Sequence, residues 1–488
     1  MKLAQLLEDA GKYAEYKADR ELLTENPEIS GVSDFTEDIA EGFIFVCVKG
    51  GRFDGHSAAA DMLKKGAAAV VCERDLGLPR QIITENSRYF YGYLVAAMHG
   101  HPEKKLTLIG VTGTNGKTTM TTLIRDILAR DGRKVGLIGT TGVFSGTEPI
   151  ERDESTPTTP KVGELYSIFE KMCNDGCTAA VMEVTSFALH QNRIGPAFFD
   201  YAVFTNLTQD HLDYHGDMEN YYLAKRLLFD RCGFAVVNTD DEYGKRLFSE
   251  ISCDKCSYGL HPDADVNARD IAAKGDKIHF ILSDFGKEYP ISLGMMGRFN
   301  AANTAAAVKV ALKMGVSADI IEKSLEESKG VRGRCEIIPT GRDFMLICDY
   351  AHSPDALENV LPALKEQISG RLICLFGCGG DRDRTKRPKM GAAAEKYADY
   401  LIVTSDNPRN EDPDAIIDDI FTGLSGTKPC DRITDRKEAI FHAVKIAKKG
   451  DLVLLAGKGH EDYQILAGGR HIHFDEREIA AEALAQLT

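Results

Sequence analysis

Short apolar runs separated by stretches of helical periodicity recur along most of the chain. They form two series. The runs of the first series are 106–111, 179–184, 199–205 and 234–238, and those of the second are 345–349, 371–376, 400–404 and 452–456. Near-continuous hydrophobic strands that alternate with helices favour a parallel sheet covered on both faces. The pattern therefore predicts an α/β protein with two such sheets.

The first hundred residues follow a different plan. After an opening helix, short strands at 43–48 and 68–72 alternate with Gly-rich turns and a helix at 58–65, which predicts a small α/β domain. The polar stretch 101–105 contains Pro102 and is interpreted as a linker. At 488 residues the chain is too long for one core. We predict three domains, 1–103, 104–330 and 331–488.

Composition and charge narrow the function. The sequence is 43% hydrophobic and 27% charged, as in ordinary folded proteins. A net charge of −15 argues against nucleic-acid binding, which needs a basic face. Charges interrupt the N-terminal residues every few positions, so neither a signal peptide nor membrane insertion is expected, and we expect a cytoplasmic protein. Cys253 and Cys256 form a C-x-x-C pair without a second pair at zinc-site spacing, and we interpret them as a surface turn.

Most of the unusual polar clusters directly follow a predicted strand, where ligands bind in open α/β sheets. The clearest cluster is Gly113-Thr114-Asn115-Gly116-Lys117-Thr118-Thr119, between the strand at 106–111 and a helical run at 120–130. Glycines let backbone N–H groups surround phosphate oxygens, Lys117 would neutralise phosphate charge, and the Thr118 hydroxyl suits magnesium. Val111 stands where the usual phosphate-loop pattern has its first glycine. We predict a nucleotide site here.

Two further side chains suit the same site. Glu183 ends the strand at 179–184, and His211 follows the strand at 199–205. Magnesium needs hard oxygen ligands beyond Thr118, and Glu183 would supply a carboxylate. The alternatives are a local ion pair for Glu183 and a structural role for His211.

Together with later motifs, these residues resemble the Mur ligase family, whose members build the peptidoglycan stem peptide. The further motifs are Thr158-Thr159-Pro160, Met182-Glu183-Val184-Thr185-Ser186, Asn206-Leu207-Thr208-Gln209-Asp210-His211, Tyr222-Leu223-Ala224-Lys225, Gly297-Arg298-Phe299-Asn300, Gly333-Arg334-Cys335-Glu336 and Asp349-Tyr350-Ala351-His352-Ser353-Pro354. The resemblance implies an N-terminal domain for a UDP-sugar, a central P-loop-type ATPase with a parallel sheet, and a C-terminal Rossmann-like domain for the incoming amino acid.

The resemblance also implies roles for single residues. It makes Lys117, Glu183, His211 and Lys225 catalytic, with Lys225 carbamylated, and gives Thr118, Glu183, His211 and Lys225 to magnesium. By sequence alone, Lys225 is a lysine on a helix at 221–229. To ATP the resemblance assigns residues 113–119 with Asn300, Arg334, Asp349 and His352. To the UDP-sugar-peptide it assigns Thr36, Thr158, Thr159, Ser186, Gln191 and Arg193.

Arg409 indicates which amino acid is added. It lies in Ser405-Asp406-Asn407-Pro408-Arg409, which follows the strand at 400–404. An arginine there is typical of members that add meso-2,6-diaminopimelate to UDP-N-acetylmuramoyl-L-alanyl-D-glutamate, and lysine-adding members lack it. A guanidinium binds the second carboxylate of diaminopimelate bidentately, which favours it over lysine. The resemblance assigns to this amino acid Arg382, Asp406, Asn407, Pro408, Arg409, Gly457 and Glu461.

Two positions depart from the family pattern. Where relatives carry Asp-Ser-Arg ahead of the strand at 43–48, this chain has Phe35-Thr36-Glu37. Thr36 keeps the hydroxyl, but Glu37 reverses a charge near the expected uridine site. At Phe187 many relatives have histidine.

The expected reaction is amide formation through an acyl phosphate, with ATP as co-substrate and Mg²⁺ as cofactor. We expect a monomer acting on small molecules. Alternatives are a related ligase that adds L-lysine, a folylpolyglutamate synthetase-type ligase, which gives no reason for Arg409, and a non-catalytic nucleotide-binding protein. Phosphate release that depends on an amino acid would distinguish ligation from nucleotide binding alone.

Overall fold

The computed structural model describes residues 1–51, 53–152 and 157–487. In this part of the chain, three large sheets of five, eleven and six strands follow one another, together with one two-stranded sheet. The predicted α/β fold is confirmed, and the core strands of all three large sheets are parallel. None of the helices in the described residues has the length and hydrophobicity to cross a membrane.

The N-terminal sheet has the strand order β1-β5-β4-β3-β2. Its helix α1 buries Leu3, Leu6, Leu7 and Ala10, whose spacing places them on one helical face. The elements are α1 (Leu3–Ala10), β1 (Tyr16–Ala18), α2 (Arg20–Glu25), β2 (Gly31–Ser33), β3 (Phe43–Val46), α3 (Ala59–Lys65), β4 (Ala69–Cys72), β5 (Gln81–Thr84) and α4 (Ser87–Met98), with 3₁₀ turns at Gly55–Ala58 and Pro102–Lys104.

The central sheet is parallel in its middle and antiparallel at both edges. Its elements are β6 (Thr107–Thr112), α5 (Lys117–Arg130), β7 (Val135–Gly139), β8 (Gly142–Ser145), β9 (Glu148–Pro149), α6 (Val162–Asn174), β10 (Ala179–Glu183), α7 (Ser186–His190), β11 (Phe199–Phe204), α8 (Leu212–His215), α9 (Met218–Arg226), β12 (Cys232–Asn238), α10 (Glu242–Glu250), β13 (Asp254–Gly259), β14 (Val266–Lys274), β15 (Lys277–Asp284), β16 (Lys287–Leu293), α11 (Arg298–Lys313) and α12 (Ala318–Glu326), with a 3₁₀ turn at Phe229–Arg231. The strand order is β16-β15-β14-β13-β12-β11-β6-β10-β7-β8-β9. β6 thus lies between β10 and β11, and all three strands end at the same edge.

The C-terminal sheet has the order β17-β18-β22-β19-β20-β21. The elements are β17 (Glu336–Ile338), β18 (Met345–Asp349), α13 (Pro354–Lys365), β19 (Leu372–Phe376), α14 (Lys386–Tyr397), β20 (Tyr400–Val403), α15 (Pro413–Phe421), β21 (Cys430–Arg432), α16 (Arg436–Ile446), β22 (Leu452–Ala456), β23 (Tyr463–Leu466), β24 (Arg470–His473) and α17 (Glu476–Ala485), with a 3₁₀ turn at Ala467–Gly469. The register pairs Asp349 with Ala456 and Phe376 with Val403. The loops after β18, β19, β20 and β22 therefore leave the sheet side by side.

One local interpretation of the sequence was wrong. Cys256 is not in a surface turn, because it is buried within β13 and its thiol belongs to the core. The stretch 101–105 connects α4 to β6, and its Pro102 and Glu103 are buried in a 3₁₀ turn that packs against α6 and β6. Tertiary packing therefore buries residues in two stretches that look polar in sequence.

Candidate functional site

The predicted phosphate loop joins the end of β6 to the start of α5. Gly116 has φ +84° and directly precedes the helix, so the first N–H groups of α5 face the loop. Gly113 has φ +150°, and a Cβ there would lie 1.8 Å from Thr205 Oγ1. Only glycine permits this close approach between neighbouring loops. Thr118 and Thr119 are buried in the first turn of α5.

Two lysines converge on one carbonyl of this loop. Lys117 Nζ donates to Gly113 O at 2.9 Å and to Thr114 O at 2.8 Å, and Lys225 Nζ donates to Gly113 O at 2.8 Å. Lys225 is 2% exposed. Burial, reinforced by the neighbouring Lys117, lowers the pKa of Lys225 well below that of an ordinary lysine. Burial also lowers the pKa of Lys117, although Glu183 opposes this.

Glu183 lies at the end of β10, paired in register with Val111 of β6. Its buried carboxylate accepts hydrogen bonds from Thr140 N at 2.8 Å and Thr140 Oγ1 at 3.2 Å. The Thr159 hydroxyl donates to the carbonyl of Glu183 at 2.9 Å, and the Thr158 hydroxyl lies 3.3 Å from that of Thr140. Thr158 and Thr159 therefore brace Glu183 beside the phosphate loop.

His211 directly precedes α8 with φ +53°, and its ring packs edge-on against Phe187 at 5.0 Å between centroids. The side chain is 46% exposed, and its partial desolvation lowers the pKa of His211, which favours the neutral imidazole. Nearby, the buried Ser186 hydroxyl lies 2.9 Å from Nε2 of His215. Burial first, and then the neighbouring His190, lowers the pKa of His215 to about 4, so its ring is neutral at pH 7 and can accept from the Ser186 hydroxyl.

The C-terminal sheet contacts the phosphate loop through two side chains. Asp355, in the first turn of α13, accepts hydrogen bonds at Oδ2 from Thr208 Oγ1 at 2.7 Å and from Asn115 Nδ2 at 3.0 Å. Arg334 Nη2 donates to Thr118 Oγ1 at 3.1 Å. The Arg334 guanidinium also covers the ring of Tyr350 at 4.8 Å. The ends of the two sheets therefore face each other across the loop.

The remaining residues predicted to bind ATP lie around this junction. Asp349 ends β18 and accepts from the N–H groups of Cys335 and Ala351, while burial raises its pKa. His352 follows on the same loop, and its exposed ring donates from Nδ1 to Tyr350 O at 2.9 Å. Asn300 is buried in α11, where its amide donates to Met296 O at 2.7 Å.

A second polar cluster lies at the ends of β20 and β22. Asn407 Nδ2 donates to Glu461 Oε2 at 2.9 Å, and Asn407 Oδ1 accepts from Lys458 Nζ at 3.0 Å. Lys458 is fully buried and also lies 3.5 Å from Asp406 Oδ1. Burial alone would raise the pKa of Asp406, but Lys458 and then Arg436 lower it. Burial raises the pKa of Glu461.

Arg409 lies at the rim of this cluster. Its φ is +52°, its N–H donates to Ile465 O at 3.0 Å, and its Nη1 donates to Gly380 O at 2.9 Å. Pro408 is buried and precedes it, whereas Arg382 is exposed on the facing loop. A Cβ at Gly457 would lie 2.8 Å from Asp406 Oδ2, so the loop after β22 needs glycine there. The structure thus brings together the seven residues predicted for the amino acid.

A cavity of about 110 Å³ lies between the N-terminal and central sheets. Among its lining residues are Asp34, Phe35, Lys161, Gln191 and Arg193. Lys161 Nζ lies 3.8 Å from the ring centroid of Phe35, and burial raises the pKa of Asp34.

The predicted sugar-peptide residues divide between this cavity and the phosphate loop. Gln191 Oε1 accepts from Arg193 Nε at 3.0 Å, and both residues line the cavity. Thr36 lies outside the lining, with its carbonyl bound by Lys65 Nζ. Thr158, Thr159 and Ser186 lie with Glu183 and His215 instead.

Several residues at these sites were not found by sequence reasoning. Thr140, Asp355 and Lys458 act through contacts with distant residues, and each belongs to a common residue type. Lys458 had one available signal, because it lies inside the Gly457-Lys458-Gly459-His460-Glu461 motif. For Thr140 and Asp355 the sequence offered no signal, apart from the position of Thr140 after a strand and of Asp355 at the start of a helix.

Comparison with known proteins identifies relatives over nearly the whole chain. Residues 111–311 match the Mur ligase middle domain, and residues 333–459 match the Mur ligase glutamate ligase domain. The UDP-N-acetylmuramoyl-L-alanyl-D-glutamate–2,6-diaminopimelate ligase of Bacillus cereus is 42% identical over 471 residues, covering 94% of this chain and 95% of that protein. The ligase of the same name from Clostridioides difficile is 40% identical, covering 95% and 96%. A solved structure of a ligase with this name is 31% identical, with a TM-score of 0.71 and coverage of 96% and 99%.

Proposed function

The chain belongs to the Mur ligase family, and we propose that it adds meso-2,6-diaminopimelate to UDP-N-acetylmuramoyl-L-alanyl-D-glutamate in peptidoglycan precursor synthesis. The reaction joins an amine of diaminopimelate to the γ-carboxylate of D-glutamate at the expense of ATP. The observation that carries this proposal is the cluster of Arg409, Asn407 and Glu461, which sits on the same sheet edge as the loop that contacts the phosphate loop.

The chemistry requires activation of a carboxylate, because an oxyanion is a poor electrophile. We propose that the γ-carboxylate attacks the γ-phosphate of ATP to give an acyl phosphate and ADP. The amine then attacks the acyl carbon, phosphate leaves, and the amine proton passes to solvent or a nearby base. Lys117, held at the start of α5, would stabilise the negative charge on the transferring oxygens.

Magnesium fits the residues around the phosphate loop. The Thr118 hydroxyl and the buried Glu183 carboxylate are hard oxygen ligands, and magnesium is commonly held by one or two carboxylates together with substrate phosphates. His211, with its lowered pKa, would add a neutral nitrogen. Magnesium bound there would neutralise charge on the transferring phosphoryl group.

Lys225 would join this set as a carbamate. Its buried amine has a strongly lowered pKa, so the neutral form that reacts with CO₂ is more populated than in an exposed lysine. Carbamylation replaces an ammonium by a carboxylate-like group. It would also change one of the two lysine amines that donate to the Gly113 carbonyl.

Arg409 and Glu461 would recognise opposite charges of the amino acid. The Nη1 atom of Arg409 is held by Gly380, which leaves other guanidinium N–H groups for the distal carboxylate of diaminopimelate. Glu461 would receive the ammonium at the same end. Lysine lacks the distal carboxylate, so the arginine would lose hydration without gaining a partner.

The UDP-sugar would enter the cavity between the N-terminal and central sheets. Arg88, Lys161 and Arg193 supply positive charge there for a diphosphate. We propose the domain division 1–103, 104–330 and 331–488, which allots one large sheet to each substrate. One chain supplies residues for all three substrates, so we propose that the protein is a monomer. We further propose that it acts in the cytoplasm, where ATP and nucleotide sugars are available.

A phosphate-release assay tests this function. The chain is incubated with Mg-ATP, UDP-N-acetylmuramoyl-L-alanyl-D-glutamate and diaminopimelate, and each component is omitted in turn. We expect sustained phosphate release only when all are present. Release that needs neither the muramyl dipeptide nor an amino acid would indicate a nucleotide hydrolase or switch protein and refute the proposal.

A further inference from the structure

We propose that Glu411 is a positioning residue that fixes the loop bearing Arg409 and so determines selectivity for an amino acid with a distal carboxylate. This inference rests on the proposed function. Glu411 itself lies outside the cluster of Asn407, Lys458 and Glu461. Its carboxylate connects two loops that follow different strands of the C-terminal sheet.

The two loops are residues 377–384, after β19, and residues 406–411, after β20. One backbone bond and one side-chain bond pair them, because Gly380 N donates to Asn407 O at 2.9 Å and the Arg409 side chain donates from Nη1 to Gly380 O at 2.9 Å. The approach is tight, since a Cβ at Gly380 would lie 1.9 Å from Pro408 O. The place of Arg409 therefore depends on how loop 377–384 is held.

Glu411 fixes loop 377–384 through its carboxylate. Its Oε1 accepts from Asp381 N at 2.6 Å and from Arg387 Nη2 at 2.8 Å, and its Oε2 accepts from Arg387 Nη1 at 3.0 Å. Arg384 lies 2.8 Å from the same Oε2. The hydrogen bonds from Arg387 lower the pKa of Glu411 to about 2, so the carboxylate stays charged throughout the neutral range.

Arg387 makes this link rigid. Its side chain is 1% exposed at the start of α14, and it pairs with Glu411 on one side and with Asp419 of α15 on the other. A buried bidentate pair of this kind has a fixed geometry. Asp419, however, contacts Arg387 without touching either loop, which makes it a matched control for Glu411.

The backbone of Arg409 needs such support. Its φ of +52° is in the left-handed region, which is unfavourable for a residue other than glycine and persists only where the surroundings hold it. Three contacts hold it here, namely the Ile465 carbonyl, the Gly380 carbonyl and, through Asp381, the Glu411 carboxylate. Loss of Glu411 loosens loop 377–384, which carries the carbonyl that orients the guanidinium.

The experiment compares Glu411→Gln with Asp419→Asn in the full-length chain. Each substitution removes one carboxylate charge from Arg387, but only Glu411→Gln disturbs the link between the loops. For Glu411→Gln we expect the KM for diaminopimelate to rise about tenfold or more and the preference for diaminopimelate over lysine to fall, with the KM for ATP unchanged. For Asp419→Asn we expect both amino-acid parameters to stay within about twofold of the wild type.

Thermal unfolding separates positioning from stability. If Glu411→Gln and Asp419→Asn lower the melting temperature equally and change the KM for diaminopimelate equally, Glu411 is only a structural residue and the inference is wrong. If Glu411→Gln does not fold, Asn410→Ala provides the test, because the exposed Asn410 amide also bonds Asp381 across the loops at 2.8 Å. A rise of about threefold in the KM for diaminopimelate would support the inference, and no change would overturn it. Failure of the wild type to use diaminopimelate would instead refute the proposed function.

Discussion

Asp355 links the C-terminal sheet to the phosphate loop, and its removal should slow turnover without weakening either substrate site. The C-terminal sheet carries Arg409 and the central sheet carries Lys117, so the acyl phosphate and the amine meet only when the two parts are held together. Asp355 accepts one hydrogen bond from Thr208 and one from Asn115. Asp355 is therefore the carboxylate that holds the C-terminal sheet against the phosphate loop.

The burial of Asp355 and its partners limits the free energy that is lost when Asp355 is removed. A hydrogen bond to a charged acceptor contributes about 1.5–3 kcal/mol when buried. Asp355 and its partners are only half-buried, so solvent screening reduces the total to about 1–2 kcal/mol. Asp355→Ala should therefore lower kcat/KM for diaminopimelate about five- to thirtyfold.

A double-mutant cycle with Thr208→Val isolates this contact. Asp355 also lies in the first turn of α13, where its charge stabilises the helix, and the cycle subtracts that contribution. In the ligation assay, we expect the double variant to be no slower than Asp355→Ala alone. Strictly additive losses, or an unchanged kcat/KM in Asp355→Ala, would refute the reasoning.

Three other substitutions test the site. Lys117→Ala should lower kcat roughly 100- to 1,000-fold while the melting temperature is preserved, because it removes a cation from the transferring oxygens; wild-type turnover in the folded variant would exclude this role. Lys225→Ala should be inactive and partly rescued by short carboxylic acids. In the wild type, acid pretreatment should lower activity and bicarbonate restore it, since carbamates lose CO₂ on acidification; undiminished activity in the unrescued variant would remove Lys225 from the site. Arg409→Ala should lose about 2–4 kcal/mol of binding to the distal carboxylate, or roughly thirty- to a thousandfold in kcat/KM for diaminopimelate, with the KM for ATP nearly unchanged. Equal harm to every amino acid would mean that Arg409 only braces its loop.

Sequence patterns sufficed for the strands that carry the site. The runs at 345–349 and 452–456 match β18 and β22 residue for residue, because buried parallel strands need nearly continuous apolar side chains. The Gly-rich loop lies between a strand and a helix, β6 and α5, as the sequence pattern predicted. Its binding of phosphate stays a prediction, argued from glycines, a lysine and hydroxyl side chains, which are local requirements of phosphate binding. The helix with Lys225 runs from Met218 to Arg226, somewhat earlier than the predicted 221–229, because Asp217 caps its start.

Contacts between distant segments could not be predicted in this way. Thr140 holds Glu183 across 43 residues, and Asp355 reaches Asn115 across 240. Nothing in the local sequence of these residues distinguishes them from other threonines and aspartates. The burial of Cys256 could not be predicted either, since its polar neighbours Asp254 and Lys255 begin the strand that contains it.

Arg409 is proposed to make the chain join diaminopimelate, rather than lysine, to the muramyl dipeptide. The most direct test is a competition reaction in which Mg-ATP and UDP-N-acetylmuramoyl-L-alanyl-D-glutamate are supplied with equal concentrations of meso-2,6-diaminopimelate and L-lysine, and the products are resolved by mass spectrometry. We expect the diaminopimelate adduct to exceed the lysine adduct by about a hundredfold or more, because Arg409 is left unpaired by lysine. Equal amounts of the two adducts would show that Arg409 does not select diaminopimelate, and ATP consumption without an amide product would show that the chain is not a ligase.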